Sequence, residues 1–157
     1  MPRWLTVLTF LSALGCGVIG GVFYAFSTFV MRALLRRPAA EALAAMQAIN
    51  VAVINPLFLG VFLGTAAACA AIVVAAALRW ATPGAAWLLA GGLLYFAGTF
   101  GVTILFNVPL NNALEKLASD VPDTAEQWTR YATRWTTWNH VRTAAAIAAS
   151  AAFILAL

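Results

Sequence analysis

The sequence is short of charged residues. Asp, Glu, Lys and Arg together make up 9% of its 157 residues, whereas soluble domains carry about 25%. Three long runs, 4–31, 42–78 and 80–114, contain none of these four residue types. Each run is longer than the stretch of about 20 residues that crosses a hydrocarbon core about 30 Å thick. The composition therefore excludes an ordinary soluble domain and predicts a membrane protein with several spanning helices.

Residues that ligate metals or cofactors are equally scarce. The chain has one histidine, His140, and two isolated cysteines, Cys16 and Cys69, inside apolar runs. No stretch has several His, Cys or carboxylate side chains at metal-ligand spacing, and one histidine cannot supply both axial ligands of haem. No Gly-rich loop would hold a nucleotide. We therefore expect no metal and no organic cofactor.

What the sequence does contain is a series of long apolar helices. Asn55 followed by Pro56 is a typical helix start, a cap residue before a proline at the first helical position. Pro109 in "NVPLNN" is expected to end another helix near Asn107, and a polar connection follows at about 115–126. The predicted fold is all-α, an integral membrane four-helix bundle forming one domain over 1–157. Its predicted helices cover 4–31, 56–78, 85–107 and 124–157, with a short extra helix at 39–52.

The last predicted helix carries its polar residues at membrane depth. The uncharged segment 143–157 would extend only about 22 Å at 1.5 Å per residue, which is too short to span. The embedded part must therefore begin near Trp135. This places Asn139, His140 and Arg142 at or below the lipid headgroups.

Basic residues are distributed unequally between the two ends of the helices. The connections between helices 1 and 2 and between helices 3 and 4 hold most of them, and the opposite end holds only Arg3 and Arg79. The positive-inside rule then predicts that both termini lie outside. The expected location is a bacterial inner (plasma) membrane. Besides the lipid bilayer, the expected partners are a second copy of the chain, through the G-x-x-x-G faces of Gly17–Gly21 and Gly60–Gly64, and a lipophilic aromatic small molecule. No nucleic acid is expected, because most of the basic residues lie at helix ends beside the headgroups.

Polar side chains collect at the end of the helices that carries the long connections, which predicts a polar cavity at one membrane face. At helical spacing Trp135, Trp138, Asn139 and Arg142 share one face, while His140 lies off it. The candidate site residues are His140, Arg142 and Asn139 as catalytic groups and Tyr24, Asn50, Asn107, Asn111, Trp135 and Trp138 as binding groups.

Several of these residues also have ordinary structural explanations, which the sequence leaves open. A Trp and Tyr stripe is typical of an interfacial belt, Asn107 can cap a broken helix, and a lone His140 is more often a neutral hydrogen-bonded side chain. Arg142 is harder to explain, because burying a charged arginine below the membrane interface costs free energy. Such a residue marks function or a required partner. The expected partners are amide oxygens, carbonyls near Pro109, Glu115, or an anionic or enolate ligand.

Four segments resemble one family. "GGVFYAFSTFVMRAL", "AMQAINVAVINPLFLGVFLGT", "FNVPLNNALE" and "W-x-x-Y-x-x-x-WTTWNHVRT" are together similar to the DUF1772 family of small four-helix membrane proteins, also described as anthrone oxygenase-like. The resemblance covers about 15–142. The matching positions are Asn50, Asn55, Pro56, Asn107, Pro109, Asn111, Trp138, Asn139, His140 and Arg142.

The resemblance implies oxidation of an anthrone to an anthraquinone without metal or cofactor. On that hypothesis Trp135, Trp138 and Tyr24 stack on a flat phenol, while asparagines hydrogen-bond its oxygens. His140 removes a proton, since imidazole titrates near neutrality, and Arg142 stabilises the enolate. The alternative is a non-catalytic membrane protein that binds a quinone, a lipid or a partner helix. A third hypothesis, an exporter, is disfavoured because no carboxylate lies in an apolar run.

Overall fold

The computed structural model describes residues 1–118 and 123–157, and over them it is helical with no strand. The residues 119–122 of the predicted polar connection lie outside the described residues. The all-α prediction is confirmed. The helices are α1 (Arg3–Leu34), α2 (Ala39–Ala52), α3 (Pro56–Leu78), α4 (Ala85–Glu115) and α5 (Thr124–Ala156).

Three of these helices, α1, α3 and α4, are long and apolar enough to cross a membrane. Their outer faces expose large apolar side chains, such as Leu57 and Leu78 on α3 and Leu105 on α4. Such a surface suits lipid and not water. The chain is therefore a membrane protein, while a fourth crossing, by α5, stays a prediction because polar residues interrupt the apolar part of that helix.

Local sequence sets the helix starts. Asn55 caps α3 as predicted, because its Oδ1 accepts hydrogen bonds from the backbone N–H groups of Leu57 and Phe58 at 3.1 and 3.0 Å. Before α4 the turn ends at Gly84, whose φ of 83° lies in the left-handed region. Glycine adopts that conformation without a steric penalty.

The expected end of a helix near Asn107 is wrong. α4 continues through Pro109 to Glu115. Proline removes one regular helical hydrogen bond, but the turns before it are π-helical over Thr103–Asn107, after an earlier π-helical stretch at Leu94–Gly101. The wider turns change the hydrogen-bond pattern, so the chain passes the proline without leaving the helix.

α5 lies at the centre of the packing, along α1 on one side and α4 on the other. Two groups of buried apolar side chains surround it. One includes Ile19, Phe62 and Phe153, and the other, near the long connections, includes Met46, Leu114 and Trp128. The cavity described below has members of both groups in its wall.

The glycines at close helix contacts are not the ones in the G-x-x-x-G patterns. A Cβ at Gly98 on α4 would lie 2.7 Å from Ala145 Cβ on α5. In contrast, a Cβ at Gly21, Gly60 or Gly64 would have no neighbour within 4 Å. The Gly60–Gly64 face is therefore open, and oligomerisation through it stays a prediction.

Candidate functional site

A cavity of about 530 Å³ opens where the predicted polar groups gather, bounded by α1, α2, α3, the second half of α4 and α5. Its volume is within the range of about 300–1,000 Å³ that is typical of small-molecule sites. Much of its wall is aromatic, including Phe23, Phe58 and Phe62. The polar and charged side chains in the wall are Asn50, Thr103, Asn111, Asn112, Glu115 and Arg142.

The Arg142 guanidinium lies in this wall and is only 6% exposed. Its Nε donates to Asn139 Oδ1 at 2.9 Å, and its Nη1 donates to Thr103 Oγ1 at 3.3 Å. Its Cζ lies 3.7 Å from the ring centre of Phe23 and 4.9 Å from that of Trp135. Cation–π contacts of this kind contribute about 0.5–2 kcal/mol each, so the cation is oriented by neutral groups alone.

Within residues 1–118 and 123–157, no carboxylate forms an ion pair with Arg142. The ion pairs between the described residues are Arg37–Glu41 and Arg130–Glu126, both exposed and both within one helical turn. A buried cation without a counter-charge is costly, and an anionic or strongly polarised ligand oxygen lowers that cost. The wall of the cavity is therefore suited to a ligand on which negative charge can develop.

Asn139 fixes the position of Arg142. Its Nδ2 donates to the backbone oxygen of Phe23 at 2.8 Å and to Ser27 Oγ at 2.7 Å, while its Oδ1 accepts from Arg142. Thr143 Oγ1 donates to the Asn139 backbone oxygen at 2.6 Å, so the Ser27 hydroxyl is the donor in its 3.2 Å contact with Thr143. The Asn139 side chain is therefore fully hydrogen-bonded and fixes the guanidinium relative to α1.

A second polar group in the cavity wall centres on Asn111. Its Oδ1 accepts from Trp135 Nε1 at 2.8 Å and from the Tyr131 hydroxyl at 3.0 Å. With both lone pairs occupied, Asn111 has its amide hydrogens left for a ligand. Asn50 Nδ2 is buried and makes no hydrogen bond of acceptable geometry, although the Tyr131 hydroxyl is near enough to interact with that amide.

The π-helical part of α4 places the threonines of the site. Thr99 Oγ1 donates to the Arg142 backbone oxygen at 3.2 Å, which joins α4 to α5. Thr103 Oγ1 donates to the Thr99 backbone oxygen at 2.8 Å and therefore accepts from Arg142. Such bonds from a threonine to the preceding turn often bend helices. The π-helical segment thus supplies the acceptor that orients Arg142 Nη1.

The structure brings four of the predicted site residues into the cavity wall: Asn50, Asn111, Trp135 and Arg142. Asn139 does not line the cavity but accepts a hydrogen bond from Arg142. Tyr24 and His140 are exposed and outside the wall. Trp138 also lies outside it, stacked on Phe106 with ring centres 3.7 Å apart.

Asn107 is buried but neither lines the cavity nor caps a helix. Its Nδ2 donates to the Trp135 backbone oxygen at 3.2 Å, and its Oδ1 has no partner. The capping alternative is wrong, because the residue has helical angles and no side-chain cap bond. Asn107 instead joins α4 to α5 beside the cavity.

An interfacial belt does not describe the aromatic stripe on α5. Trp128, Tyr131 and Trp135 are 3%, 6% and 3% exposed. They pack against α2 and the end of α4 in the group that includes Leu43 and Leu114. These rings are therefore part of the protein interior.

Sequence reasoning missed Phe23 in the wall, and it named Glu115 only as a possible partner of Arg142, with which Glu115 forms no ion pair. Phe23 carries the closest ring contact of Arg142, and nothing in the sequence distinguishes it from the other phenylalanines. Glu115 lines the cavity because α4 continues past Pro109. The spacing from Asn111 to Glu115 would have revealed this if the helix had been extended.

Comparison with known proteins gives a family. Residues 58–152 match the family model described as anthrone oxygenase. No curated protein and no solved structure matches the chain. Over residues 1–118 and 123–157, no group of three or more His, Cys, Asp and Glu side chains is placed to hold a metal ion. The matched segment includes all of α4 and most of α5, the helix that carries Arg142. The chain therefore belongs to the anthrone oxygenase family.

Proposed function

We propose that the protein is a membrane-embedded oxygenase that oxidises a lipophilic aromatic substrate of the anthrone or quinol type, without a bound cofactor. The observation that carries the proposal is Arg142, a buried cation with no carboxylate partner among the described residues, in the wall of an aromatic cavity. The family supports the same reaction class.

Arg142 would act where charge develops. Loss of a proton from the methylene carbon of an anthrone leaves an electron pair that delocalises onto the ring oxygen as an enolate. A preorganised donor at that oxygen stabilises the charge more than water does, because the site is dry and its dipoles are fixed. Arg142 is fixed in this way by Asn139 and Thr103, and the aromatic rings around it suit a flat substrate.

The overall reaction balances with dioxygen as the only co-reactant. The methylene group becomes a carbonyl, one oxygen atom of O₂ enters the product, and the other leaves as water with the two methylene hydrogens. The electron-rich enolate is the reductant and O₂ is the oxidant. The chain's contribution is binding, orientation and proton transfer.

The substrate would enter from the bilayer. Large apolar side chains that line the cavity are also exposed on the outer surface, including Val51, Ile54 and Ile104. A lipophilic ring system dissolved in the membrane would meet this opening directly. In the same proposal α5 completes a four-helix membrane domain, and both termini lie outside the plasma membrane.

The test is oxygen consumption by purified protein in detergent with an anthrone as substrate, together with the appearance of the anthraquinone by absorbance. Arg142→Gln is expected to lower kcat/KM about 100-fold or more, the range for loss of a fixed donor at a developing oxyanion. Arg142→Lys is expected to be nearly as damaging, because a lysine cannot hold the Nε contact and both ring contacts.

Arg134→Gln is the matched control, since Arg134 lies on the same helix and is exposed. It should retain full activity. If the wild-type protein binds the anthraquinone but does not speed oxidation of the anthrone, the non-catalytic binding alternative replaces this proposal.

A further inference from the structure

The polar groups in the cavity wall are nearly all hydrogen-bond donors toward a ligand. Arg142 can only donate, and Asn111 has its oxygen occupied by two donors. Asn50 has a buried nitrogen without a hydrogen bond, and the hydroxyl hydrogen of Thr103 is given to the Thr99 backbone oxygen. The exceptions are the amide oxygen of Asn112 and the carboxylate of Glu115. Among the described wall residues Glu115 alone carries a carboxylate, a group that can accept a proton from a bound substrate.

Glu115 belongs to the cavity face of α4. The wall residues from the last turns of this helix are Val108, Asn111, Asn112 and Glu115, which follow the i, i+3, i+4, i+7 spacing of one helical face. The position of this turn is also fixed. Gln47 Nε2, on α2, donates to the backbone oxygens of Leu114 and Leu117 at 2.9 and 3.1 Å, and these bonds join the end of α4 to α2.

Glu115 and Arg142 line the same cavity but do not form an ion pair, so their charged atoms are more than 4.0 Å apart. Arg142 is buried, whereas Glu115 is exposed. A substrate between them would have its enolate oxygen beside a cation and its acidic carbon toward a carboxylate. Because Glu115 reaches solvent, a proton that it accepts can exchange with water.

We propose that Glu115 is the general base that removes the methylene proton of the substrate, the role that sequence reasoning gave to His140. This inference rests on the proposed oxygenase function. His140 does not line the cavity, whereas Glu115 does.

The C–H bond breaks, Glu115 takes the proton, and the electron pair remains on the substrate as the enolate opposite Arg142. The enolate reduces O₂, a carbon–oxygen bond forms, and the peroxide oxygen takes the proton back from Glu115. Glu115 then accepts the second proton from the same carbon while the O–O bond breaks. The hydroxide that leaves becomes water with that proton.

Glu115→Gln is the test, compared with Glu115→Asp and with Glu126→Gln. Glu126 is an exposed carboxylate outside the cavity, so its variant controls for loss of a surface charge. Each protein is assayed for anthrone oxidation and, separately, for binding of the unreactive anthraquinone by quenching of tryptophan fluorescence, since Trp135 lines the cavity. Folding is checked by size-exclusion chromatography and circular dichroism.

Glu115→Gln is expected to lower kcat about 100-fold or more, which is the usual contribution of a general base, with anthraquinone binding within a factor of three of wild type. Glu115→Asp should recover part of the rate, and Glu126→Gln all of it. An active wild type with a Glu115→Gln variant of equal rate overturns this inference and leaves the oxygenase proposal intact. A Glu115→Gln variant that loses binding together with activity also overturns it, because the residue then holds the substrate or the fold. If the wild-type protein is inactive, both the oxygenase proposal and the role of Glu115 as its base are wrong.

Discussion

Arg142 owes its position to neighbours that orient it without neutralising it. The Phe23 and Trp135 rings lie over its guanidinium, and Asn139 and Thr103 accept from it. A charge held by neutral groups stays available to a ligand, whereas a carboxylate partner would quench it. The residues that fix Arg142 therefore matter as much to the site as those that touch a substrate.

Asn139 and its neighbour His140 make a matched pair for testing this point. Asn139→Ala removes one partner from each of Arg142, Ser27 and the Phe23 carbonyl. Unpartnered buried polar groups cost about 1–3 kcal/mol, so we expect a lower Tm in detergent and weaker anthraquinone binding. His140→Ala should leave both unchanged, since exposed positions usually stay within about 0.5 kcal/mol. Equal loss in the two variants would contradict the assignment of Asn139 as the residue that positions Arg142.

Sequence patterns could identify Arg142 but not its surroundings. An arginine at membrane depth is distinctive by itself, and helical spacing put Asn139 and Trp135 on its face. The residues that complete the site come from other helices. Phe23 and Thr103 meet Arg142 only through the packing of α1 and α4 against α5, which no local pattern encodes.

α4 has both a tight contact with α5 and a run of π-helical turns. The contact is made at Gly98 and the π-helical turns continue to Asn107. Thr99 and Thr103 lie between these points and hold Arg142. The close approach at Gly98 therefore sets the distance at which both threonines reach α5.

Gly98→Ala tests this arrangement. The new Cβ would lie 2.7 Å from Ala145 Cβ, which forces the helices apart. Overpacking of this kind costs about 1–3 kcal/mol, and the displaced threonines should loosen Arg142. We expect a lower Tm together with a lower rate of anthrone oxidation, both measured on purified protein.

Gly64→Ala is the control for the same substitution in an open place. Its Cβ would meet nothing within 4 Å, and alanine favours a helix over glycine by about 0.5–1 kcal/mol. The Tm should therefore stay level or rise. A clear loss of stability at Gly64 would instead show that another chain covers this face, as the G-x-x-x-G pattern suggests.

The helices themselves were predictable where local sequence decides them. The Asn55 cap requires only its own turn, so it followed directly from Asn-Pro. The path of α4 past Pro109 could not be predicted in this way, because the proline follows π-helical turns that the local sequence does not announce. Rules for proline in an isolated helix predict an end there.

At the scale of the whole molecule, charge separates the two ends of the bundle. The end with the cavity carries Arg32, Arg36, Arg37, Lys116, Arg130 and Arg134, and the other carries Arg3 and Arg79. The positive-inside rule predicts that the cavity end faces the cytoplasm. A base at Glu115 would then exchange its proton with the cytoplasm.

The predicted orientation of the cavity depends on whether α5 crosses the membrane. Among the described helices of 18 residues or more, α5 is the one that composition does not assign to the membrane. Single cysteines at Ala40, Ala81, Ala118 and Leu157 would be treated with a membrane-impermeant maleimide in intact cells. All four positions are exposed, whereas the native Cys16 and Cys69 are fully buried and should give little background.

Ala81→Cys and Leu157→Cys should label in intact cells, and Ala40→Cys and Ala118→Cys only after permeabilisation. The informative pair is Ala118 with Leu157, which flank α5. Opposite labelling means that α5 crosses the membrane and carries Arg142 into it, so that the buried cation faces a lipid-soluble substrate. Identical labelling would leave three crossings, place α5 along one face, and remove the reason for expecting a substrate to enter from the bilayer.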